Sequence, residues 1–367
     1  MLRVTYVCEF ATRNGGENSL LSVLPRLAAG GIQPNVLCPL TGPFPDALQQ
    51  LAIEYHELKL FDDDGVRLQL DDIRAGVLTT LQELEPDIVH ANSLSTSRLC
   101  GGIADQLLTP IVGHVRDIMN VSGQVIRDLN KLARTITVSH ATRDNLLKQG
   151  VTPENCEVVY NGVSTPNSTF SRSAHSQPDK SFTVGGVGQI GMRKGWDILL
   201  DAFGHLVKHE PNCQLEICGV RHSTKDEAIE YERALYTRAQ HPDLQGKVKF
   251  AGYVEDIQSR MRNWDLLVHP ARQEPLGRVL LEAAAIGLPI IATDVGGTRE
   301  IFPNGEAILF ERDNTVQLAS QLMALHDDSE HRIRLATTGH NRIKHSFSLE
   351  ESVNGILSIY RQLTDAE

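Results

Sequence analysis

The chain has 367 residues, and at roughly 150 residues per domain this length predicts two domains rather than one long single core. Hydrophobic residues make up 41% and charged residues 22%, values that are typical of folded proteins and exclude disordered, collagen-like and coiled-coil chains. The formal net charge of -11 disfavours nucleic acid as a partner, because a generally basic surface is missing.

The cysteines and the apolar segments bear on the cellular compartment. None of the six cysteines stands in a Cys-x-x-Cys pair, so buried thiols are expected rather than a zinc site or a redox pair. The segment MLRVTYVCEFATRNGG carries Glu9 and Arg13 without a small-residue cleavage site, and no uncharged apolar stretch approaches the length of a membrane span. We therefore expect a cytoplasmic protein whose membrane contact, where there is any, is peripheral at the inner membrane face.

The first half of the chain alternates short strands rich in β-branched residues with amphipathic helices. The predicted strands are LRVTYVCEF, NVLCP, YHELKL, DIVHA, PIVGHV, TITVS and CEVVY, and the predicted helices cover 17–29, 44–52, 68–85, 95–107, 122–133 and 140–149. This alternation predicts an α/β domain over residues 1–165, with a parallel sheet covered by helices on both faces.

A polar segment separates the two halves of the chain. Residues 163–181 contain six Ser, two Thr and two Pro, which indicates a connection, placed at 166–180. The strands FTVGGVG, QLEIC, KVKFAG, DLLVHP, LPIIAT and AILFE then predict a second doubly wound domain over 181–347. The remaining residues, 348–367, predict an amphipathic helix. This helix can cover either domain, and one of the two options is that it packs back on the N-terminal domain.

The loop after DLLVHP holds the densest set of candidate site residues. Ligands of open parallel sheets bind beyond the carboxyl ends of the strands, so two such domains facing each other predict an interdomain cleft. Pro275 and Gly277 predict a turn into a helix of about 278–286, whose first amides can bind an anion. Glu274 can accept hydrogen bonds from sugar hydroxyls and Glu282 from two ribose hydroxyls, although each Glu alone is more readily explained as a solvated carboxylate.

The whole segment carries a family resemblance. Glu274, seven intervening residues, Glu282 and then AAAIGLPIIATDVGGTREI resemble the donor-site signature of glycosyltransferase family 4, the retaining glycosyl transferases group 1 with the GT-B fold. Other segments are similar to that family in the expected order, namely GGENSLLSVLPRLAAGG, PDIVHANS, VSHATRDNLLKQG, VVYNGV, GQIGMRKGWDILLDAF and KVKFAGYV. The resemblance implies two Rossmann-like domains, the N-terminal one binding the acceptor and the C-terminal one binding the nucleotide sugar.

The activity that the resemblance implies is a hexosyl transfer. A nucleotide diphosphate sugar would be the donor and co-substrate, and a hydroxyl of a sugar, glycan, lipid-linked or small-molecule acceptor would receive the sugar with retention at the anomeric carbon. Polysaccharide biosynthesis is the typical setting. No resident cofactor is expected, and no metal, because enzymes of this fold usually stabilise the leaving diphosphate with helix N-termini and cations.

The resemblance also implies roles for single residues. Lys194 would offset charge on the leaving diphosphate, Glu274 would position the sugar, and His114 would lie near the anomeric centre. The expected donor-binding residues are Gly15, Gly16, Arg193, Lys194, Tyr253, Val254, Glu274, Leu276, Gly277, Arg278, Val279 and Glu282. Because the family usually has an Arg where this chain has Gln189, Arg193 or Arg278 would supply the second phosphate contact.

Two interpretations from other classes stay open. Gly186, Gly188 and Gly191 match the dinucleotide-binding fingerprint, although Val220, Arg221 and His222 stand where its acidic residue should follow the next strand. Arg221 keeps an NADP-dependent oxidoreductase possible, and a noncatalytic nucleotide-sugar-binding module on the same fold is the other alternative. The base and sugar of the donor, the acceptor and the oligomeric state are left open.

Some polar residues are interpreted as structural. His90 and His140 follow or end strands without a supporting pattern, and Asn161 and Gly162 are interpreted as a turn. Residues 116–149 contain six Lys or Arg against three Asp, which predicts a solvated helix face or, alternatively, a docking surface for a phosphorylated or lipid-linked acceptor at a membrane.

Overall fold

A computed structural model describes residues 1–165 and 181–364. The chain divides into two units, Met1–Gly162 together with Leu349–Glu367, and Val163–Ser348. Each unit is a parallel sheet with helices, so the prediction of an α/β chain with two Rossmann-like doubly wound domains is confirmed. The predicted connection at 166–180 and the residues 365–367 of the predicted last helix lie outside the described residues.

Strands and helices alternate along both units. The strands are β1 (Leu2–Val7), β2 (Ile32–Cys38), β3 (Glu54–Glu57), β4 (Ile88–Ala91), β5 (Ile111–Val115), β6 (Arg134–Thr137), β7 (Cys156–Val158), β8 (Phe182–Val187), β9 (Cys213–Cys218), β10 (Val248–Gly252), β11 (Leu266–His269), β12 (Ile290–Thr293) and β13 (Ile308–Phe310). The helices are α1 (Gly15–Ala29), α2 (Pro43–Gln50), α3 (Leu70–Leu84), α4 (Leu94–Gly101), α5 (Gly123–Leu129), α6 (His140–Lys148), α7 (Trp196–His209), α8 (Asp226–Ala239), α9 (Ile257–Met261), α10 (Arg278–Ala285), α11 (Thr298–Ile301), α12 (Thr315–Asp327), α13 (Ser329–Ser346) and α14 (Leu349–Thr364).

Local sequence explains the form of these elements. The central strands β4 (IVHA) and β12 (IIAT) are buried at every position, because helices cover both faces of a parallel sheet. Ser93 and Ser139 cap the helices that follow β4 and β6. Each hydroxyl accepts a hydrogen bond from the amide three residues on, at 3.1 Å from Thr96 and 3.0 Å from Thr142.

The first unit is a seven-stranded sheet in the order β3-β2-β1-β4-β5-β6-β7, with all strands parallel. The winding reverses between β1 and β4, which pair with Val7 opposite Ala91. The loops that leave these two strands run to opposite faces of the sheet, and a crevice opens between them. This is the position at which a doubly wound sheet binds its ligand.

The second unit repeats this arrangement with six parallel strands in the order β10-β9-β8-β11-β12-β13. Here the winding reverses between β8 and β11, where Gly185 pairs with Leu267. Gly185 cannot be larger, because an added Cβ would lie 1.9 Å from the ring of Trp264. The loops after β8 and β11 therefore leave from adjacent strands.

The C-terminal helix α14 packs on the first unit. Its residues Val353, Ile356 and Tyr360 belong to the same core as α1 and the strands β1 and β2. At the surface, the Arg26 guanidinium contacts the Glu350 carboxylate at 3.0 Å. The helix thereby brings a buried tyrosine hydroxyl from the end of the chain into the N-terminal sheet.

Two predicted helices end early: the helix predicted over 122–133 is α5, which ends at Leu129, and the other is α4. The periodicity predicts a helix over 95–107, but α4 ends at Gly101 and a short 3-10 turn follows over Ala104–Gln106. Close packing requires glycine at this position, because an added Cβ on Gly101 would lie 2.2 Å from the carbonyl oxygen of Asp128. The prediction of buried thiols is confirmed for all six cysteines, which lie in the described ranges. Burial raises the pKa of Cys38 and Cys100 to about 12.

Candidate active site

The second unit places a lysine, a glutamate and a histidine together at its switch point. Lys194 follows β8, and Glu274 follows β11, which ends at His269. The Lys194 Nζ lies 2.5 Å from Glu274 Oε2, and His269 Nε2 lies 2.8 Å from the same oxygen. Thus Lys194 and Glu274, which the sequence suggested for separate tasks, form one ion pair.

This ion pair is nearly buried, since the side chains of Lys194 and Glu274 are 12% and 9% exposed. Burial opposes ionisation of Glu274, but the Lys194 charge and the His269 hydrogen bond outweigh it and hold the pKa of this carboxyl well below its usual range. Burial, followed by the Lys194 charge, lowers the pKa of His269. The group therefore carries a carboxylate and an ammonium beside a neutral imidazole at neutral pH.

Backbone contacts hold the two loops of this site together. An added Cβ on Gly195, whose φ is +66°, would lie 2.1 Å from the carbonyl oxygen of Pro270. Arg272 crosses between the loops, donating from Nη1 to the Met192 carbonyl at 2.7 Å and pairing with the Asp197 carboxylate at 2.6 Å. The position of Lys194 relative to Glu274 is thus determined by several contacts at once.

Helix α10 begins beside the ion pair. Gly277 precedes it with φ +101°, and an added Cβ there would lie 2.7 Å from Leu280 and 3.3 Å from Glu274. The first hydrogen bond of this turn joins the Leu280 amide to the Gly277 carbonyl at 2.9 Å, so the amides of Gly277, Arg278 and Val279 precede the helical ladder. The predicted start and approximate length of this helix are confirmed.

The remaining predicted donor-binding residues of this unit lie near the same edge of the sheet. Arg278 Nε donates to Glu282 Oε1 at 2.6 Å, so these two residues are paired one helical turn apart. Arg193 is exposed, and its Nη1 donates to the Gln273 carbonyl at 3.3 Å. Tyr253 and Val254 follow β10, with Tyr253 67% exposed, whereas Leu276 is buried.

The first unit gathers a different set of polar residues at its switch point. His114 lies near the end of β5 and is buried, and Arg116 follows it. The Arg116 guanidinium donates to Asn92 Oδ1 at 2.9 Å, to Asn161 Oδ1 at 2.7 Å and to His114 Nδ1 at 3.2 Å. Burial, together with the charge of Arg116, lowers the pKa of His114 well below its usual value, so the ring is neutral at neutral pH.

Gly15 and Gly16 begin α1 beside this cluster. An added Cβ on Gly16 would lie 3.3 Å from Arg116 Cδ, so the glycine lets the arginine approach the start of the helix. The Asn92 amide donates to the Gly16 carbonyl at 3.4 Å. Gly15 has open space around its Cα within the described residues, which suits a close approach by a ligand.

Sequence reasoning missed several residues of these two groups. Asn161, interpreted as a turn residue, accepts hydrogen bonds from Arg116 and from Ser19 at 2.9 Å, so its side chain has a specific task. His90, interpreted as structural, contacts His114 directly. His269 and Arg272 were not singled out at all, although His269 ends a buried strand beside the recognised loop and could have been found by that position.

The structure gives little support to a dinucleotide site at the glycine fingerprint and Arg221. Gly186 lies within β8, where an added Cβ would be 2.7 Å from the Trp196 ring, so packing alone accounts for this glycine. Arg221, which would contact the phosphate of NADP, pairs with the Glu232 carboxylate at 2.8 Å. Both observations are explained without a dinucleotide.

Neighbouring groups partly neutralise the basic segment 116–149. Lys131 pairs with Asp105, Arg134 pairs with Glu157 at 3.1 Å, and Arg127 donates to Gln124 at 2.6 Å. Within residues 1–165 and 181–364, no helix combines the length and the apolar character needed to cross a membrane.

One group of side chains has the geometry of a metal site. Ligand atoms of Glu210, His326 and Asp327 lie within 4.8 Å of one another. Glu210 follows α7 and shortly precedes β9, so the group lies at the amino end of that strand. It is therefore on the opposite edge of the sheet from Lys194 and Glu274.

Comparisons with known proteins identify the family of the chain. The family described as Glycosyltransferase Family 4 matches residues 13–166, and the family described as Glycosyl transferases group 1 matches residues 167–342. The chain belongs to glycosyltransferase family 4. The family assignment drawn from the Glu274 to Glu282 spacing is thereby confirmed.

Curated relatives match part of the chain. A lipopolysaccharide core biosynthesis mannosyltransferase, LpsB of Rhizobium meliloti, is 28% identical over 189 residues, which are 51% of this chain and 53% of the relative. An uncharacterized glycosyltransferase of Methanocaldococcus jannaschii is 30% identical over 57% of this chain and 54% of its own length. The match thus spans about half the length of these relatives.

Solved structures share the fold over the full length. Anabaena HepE, solved in complex with UDP and glucose, superposes with a TM-score of 0.84 at 22% identity, covering 99% of this chain and 100% of HepE. The sucrose-phosphate synthase of Thermosynechococcus elongatus superposes with a TM-score of 0.79 at 18% identity over the whole of both chains. These likenesses establish the GT-B type of fold.

Proposed function

We propose that this family member transfers a hexose-type sugar from a nucleotide diphosphate sugar to an acceptor hydroxyl, with retention at the anomeric carbon. The observation that carries the proposal is the pairing of Lys194 with Glu274 beside the first amides of α10. A cation and free amides at one sheet edge suit a diphosphate, and a carboxylate beside them suits the hydroxyls of an attached sugar.

The donor would change the partners of the lysine. The Lys194 ammonium lies 2.5 Å from the Glu274 carboxylate. A diphosphate carries more negative charge than one carboxylate, so Lys194 turns toward it and Glu274 becomes available to the sugar. His269 keeps its hydrogen bond to Glu274 and thereby orients the carboxylate toward the sugar hydroxyls.

The proposed reaction is balanced without a further reactant. The bond between the anomeric carbon and the diphosphate oxygen breaks, and a bond forms between that carbon and the acceptor oxygen on the same face. The acceptor proton passes to a diphosphate oxygen. Lys194 and the amides of Gly277, Arg278 and Val279 stabilise the negative charge that develops on the leaving group. No step of this scheme needs a metal ion, so we expect turnover to persist when EDTA is present.

The other predicted residues receive supporting roles. Glu282 would bind the ribose hydroxyls once Arg278 turns to the phosphates, which would also provide the cation that Gln189 does not supply. Tyr253 and Val254 would contact the base, and Gly15 and Gly16 would border the phosphate or the acceptor. His114 would donate a hydrogen bond to the sugar, as the family resemblance suggests.

UDP is the first nucleotide to test, because HepE has been solved with UDP and with UDP-glucose. The acceptor is proposed to be a glycan or lipid-linked sugar handled in the cytoplasm, in line with the lipopolysaccharide and capsular polysaccharide enzymes among the relatives. A protein that binds UDP but never releases it from a UDP-sugar across a broad acceptor panel would instead be a noncatalytic module.

The experiment that tests this proposal follows the release of the nucleoside diphosphate. Purified protein is incubated with UDP-, GDP-, ADP- and TDP-sugars and a panel of sugar and lipid-linked acceptors, and NMR of the product gives the anomeric configuration. We expect acceptor-dependent release from one donor class and a product with the donor's configuration. An inverted product would contradict retention, and reduction of NADP or NAD would contradict transfer altogether.

A further inference from the structure

The buried His114 ring receives hydrogen bonds at one nitrogen only. Its Nδ1 lies 3.2 Å from Arg116 Nη2 and 3.2 Å from His90 Nε2, whereas its Nε2 is buried and has no hydrogen-bond partner in the described parts of the chain. A guanidinium can only donate, so His114 Nδ1 must be an acceptor. The ring proton of a neutral His114 therefore resides on Nε2.

The same reasoning assigns the tautomer of the neighbouring His90 ring. Because His114 Nδ1 accepts, His90 Nε2 must donate to it, and the other nitrogen of a neutral His90 is then an acceptor. That nitrogen, Nδ1, lies 2.6 Å from the hydroxyl of Tyr360 on α14. The Tyr360 hydroxyl has one proton, and the contact of 2.6 Å assigns it to His90 Nδ1 rather than to the Tyr6 hydroxyl, which lies 3.2 Å from the Tyr360 oxygen.

We propose that Tyr360 and His90 are positioning residues for the transfer reaction, which together with Arg116 hold His114 in the tautomer that presents Nε2–H to the substrate. This inference rests on the proposed function for the identity of the substrate. The hydrogen-bond order runs from the Tyr360 hydroxyl through both rings of His90 and His114 to a donor at Nε2. A donor at this point binds an oxygen of the sugar and excludes His114 as a base.

The setting of the two rings supports this assignment. Tyr6, His90, His114 and Tyr360 are each 3% exposed or less, so bulk water does not compete for their hydrogen bonds. Burial lowers the pKa of His90 to about 3, and the charge of Arg116 contributes to the same shift. Ring contacts add to the fixed geometry, with centroids of His90 and His114 5.4 Å apart.

The position of Tyr360 gives the C-terminal helix a task beyond packing. The strands β4 and β5 that hold the two histidines come from the middle of the first unit, whereas Tyr360 comes from α14 at the far end of the chain. Removal of the hydroxyl alone, as in Tyr360→Phe, keeps the ring in the core and tests this contact without unpacking the helix.

The direct test is NMR of the full-length protein labelled with 15N-histidine. Couplings between ring nitrogens and carbon-bound protons distinguish the two neutral tautomers, and His90→Gln and His114→Gln assign the signals. We expect both rings of the wild-type protein to carry the proton on Nε2. Protonation of His114 on Nδ1, or on both nitrogens, at neutral pH would overturn the proposal.

Enzyme assays test the consequence. Loss of one buried hydrogen bond in Tyr360→Phe should lower kcat by about fivefold to tenfold while KM for the donor stays nearly unchanged. In the same variant we expect the His90 signals to show a mixture of tautomers. Tyr55→Phe is the matched control, since Tyr55 lies partly buried against the same core and outside the hydrogen-bond chain; it should leave both kcat and the histidine signals unchanged.

Substitution of His90 separates positioning from packing. His90→Gln retains an N–H group close to the place of Nε2, whereas His90→Leu keeps the volume without a donor, so Gln should retain several-fold more activity than Leu. Equal activity of both variants, or unchanged histidine signals in Tyr360→Phe, would overturn the role of this chain. The tautomer measurement needs no turnover, so an inactive wild-type protein with both protons on Nε2 would contradict the proposed function alone and support this assignment.

Discussion

The two units share one fold but place opposite kinds of polar group at their switch points. In the first unit, Arg116 donates hydrogen bonds to the neutral His114 ring and to the Asn92 amide oxygen, and its charge also acts on the buried Glu17 carboxyl. In the second unit, a nearly buried ammonium and carboxylate pair directly, beside the first amides of α10. The same crevice of a doubly wound sheet thus holds a guanidinium bonded to neutral side chains in one case and a directly paired ammonium and carboxylate in the other.

In a doubly wound domain, the sheet thus determines where a site lies and the loop residues determine what it binds. Both sites lie at the carboxyl ends of strands at or next to the point where the winding reverses. We propose that the charged pair of the second unit exchanges partners when an anion binds, whereas the hydrogen-bond chain of the first unit keeps one donor in place. Substitutions in each unit should therefore have different consequences.

Lys194→Ala should produce the largest change. The variant loses the cation that offsets charge on the leaving group, so we expect the rate of transfer to fall by about 10²–10³-fold. Initial rates of nucleoside diphosphate release measure the effect, and circular dichroism checks that the fold survives. Lys208→Ala, an exposed position on α7, serves as the control. Near-normal turnover of Lys194→Ala would contradict a role of the charged pair of the second unit in the transfer reaction.

Glu274→Gln should lower stability in a pH-dependent way. Without the carboxylate, the nearly buried Lys194 lacks its partner, which costs about 3 kcal/mol of unfolding free energy at pH 7. Because the folded-state pKa of Glu274 is depressed, the wild-type protein has this advantage above pH 4.5 and loses it as the pH falls below that value. Urea unfolding should show a smaller difference in unfolding free energy between the two proteins at pH 4 than at pH 7. A difference that does not change with pH would contradict the ion pair as its source.

The buried histidines of the first unit should affect the unfolding free energy in a different pH range from Glu274. The folded state lowers the pKa of His90 to about 3, so only the unfolded chain binds its proton between pH 6.5 and pH 5. Stability is therefore lost as the pH falls through this range, by about 2 kcal/mol for one histidine. Urea unfolding at several pH values measures how the unfolding free energy changes with pH. His90→Gln should remove the part of this change that comes from His90, whereas His205→Gln, at an exposed position, should leave the change as it is. Equal slopes in all three proteins would refute the buried neutral ring.

Glu282→Ala should give the smallest of these effects. Loss of the ribose contact is expected to weaken binding of the free nucleoside diphosphate by about tenfold. The chemical step should change less, because Lys194 and Glu274 remain. Calorimetry measures the dissociation constant, with Glu330→Ala on α13 as an exposed control. An unchanged dissociation constant for Glu282→Ala would rule out the ribose role.

Much of this architecture could be predicted from the sequence. Alternating strands and helices indicated two doubly wound domains, because apolar β-branched runs and helical periodicity are local signals. The loop from Glu274 to Glu282 could be found because its glycine and its two carboxylates lie close together in the chain. Some element ends were displaced, among them those of α4 and α5; near the end of α4, Gly101 packs against Asp128, a residue from another helix.

The pairings within the sites could not be predicted in the same way. The contact of Lys194 with Glu274 joins residues 80 positions apart, and that of His90 with Tyr360 joins residues 270 positions apart. Such contacts depend on which strands become neighbours in the sheet and on where α14 packs. A single sequence carries no local signal for either, so the partners of His114 emerged only from the fold.

The most direct test of the central claim is a thermal-shift comparison of the wild-type protein with Lys194→Ala in UDP, GDP, ADP, TDP, NAD and NADP. At about 100 times its dissociation constant a ligand stabilises the folded state by about 2.7 kcal/mol, enough to raise Tm by a few degrees. We predict that one nucleoside diphosphate raises the Tm of the wild-type protein and has a much smaller effect on Lys194→Ala. An equal rise in both proteins, or a rise with NADP or NAD alone, would contradict a donor diphosphate held by Lys194.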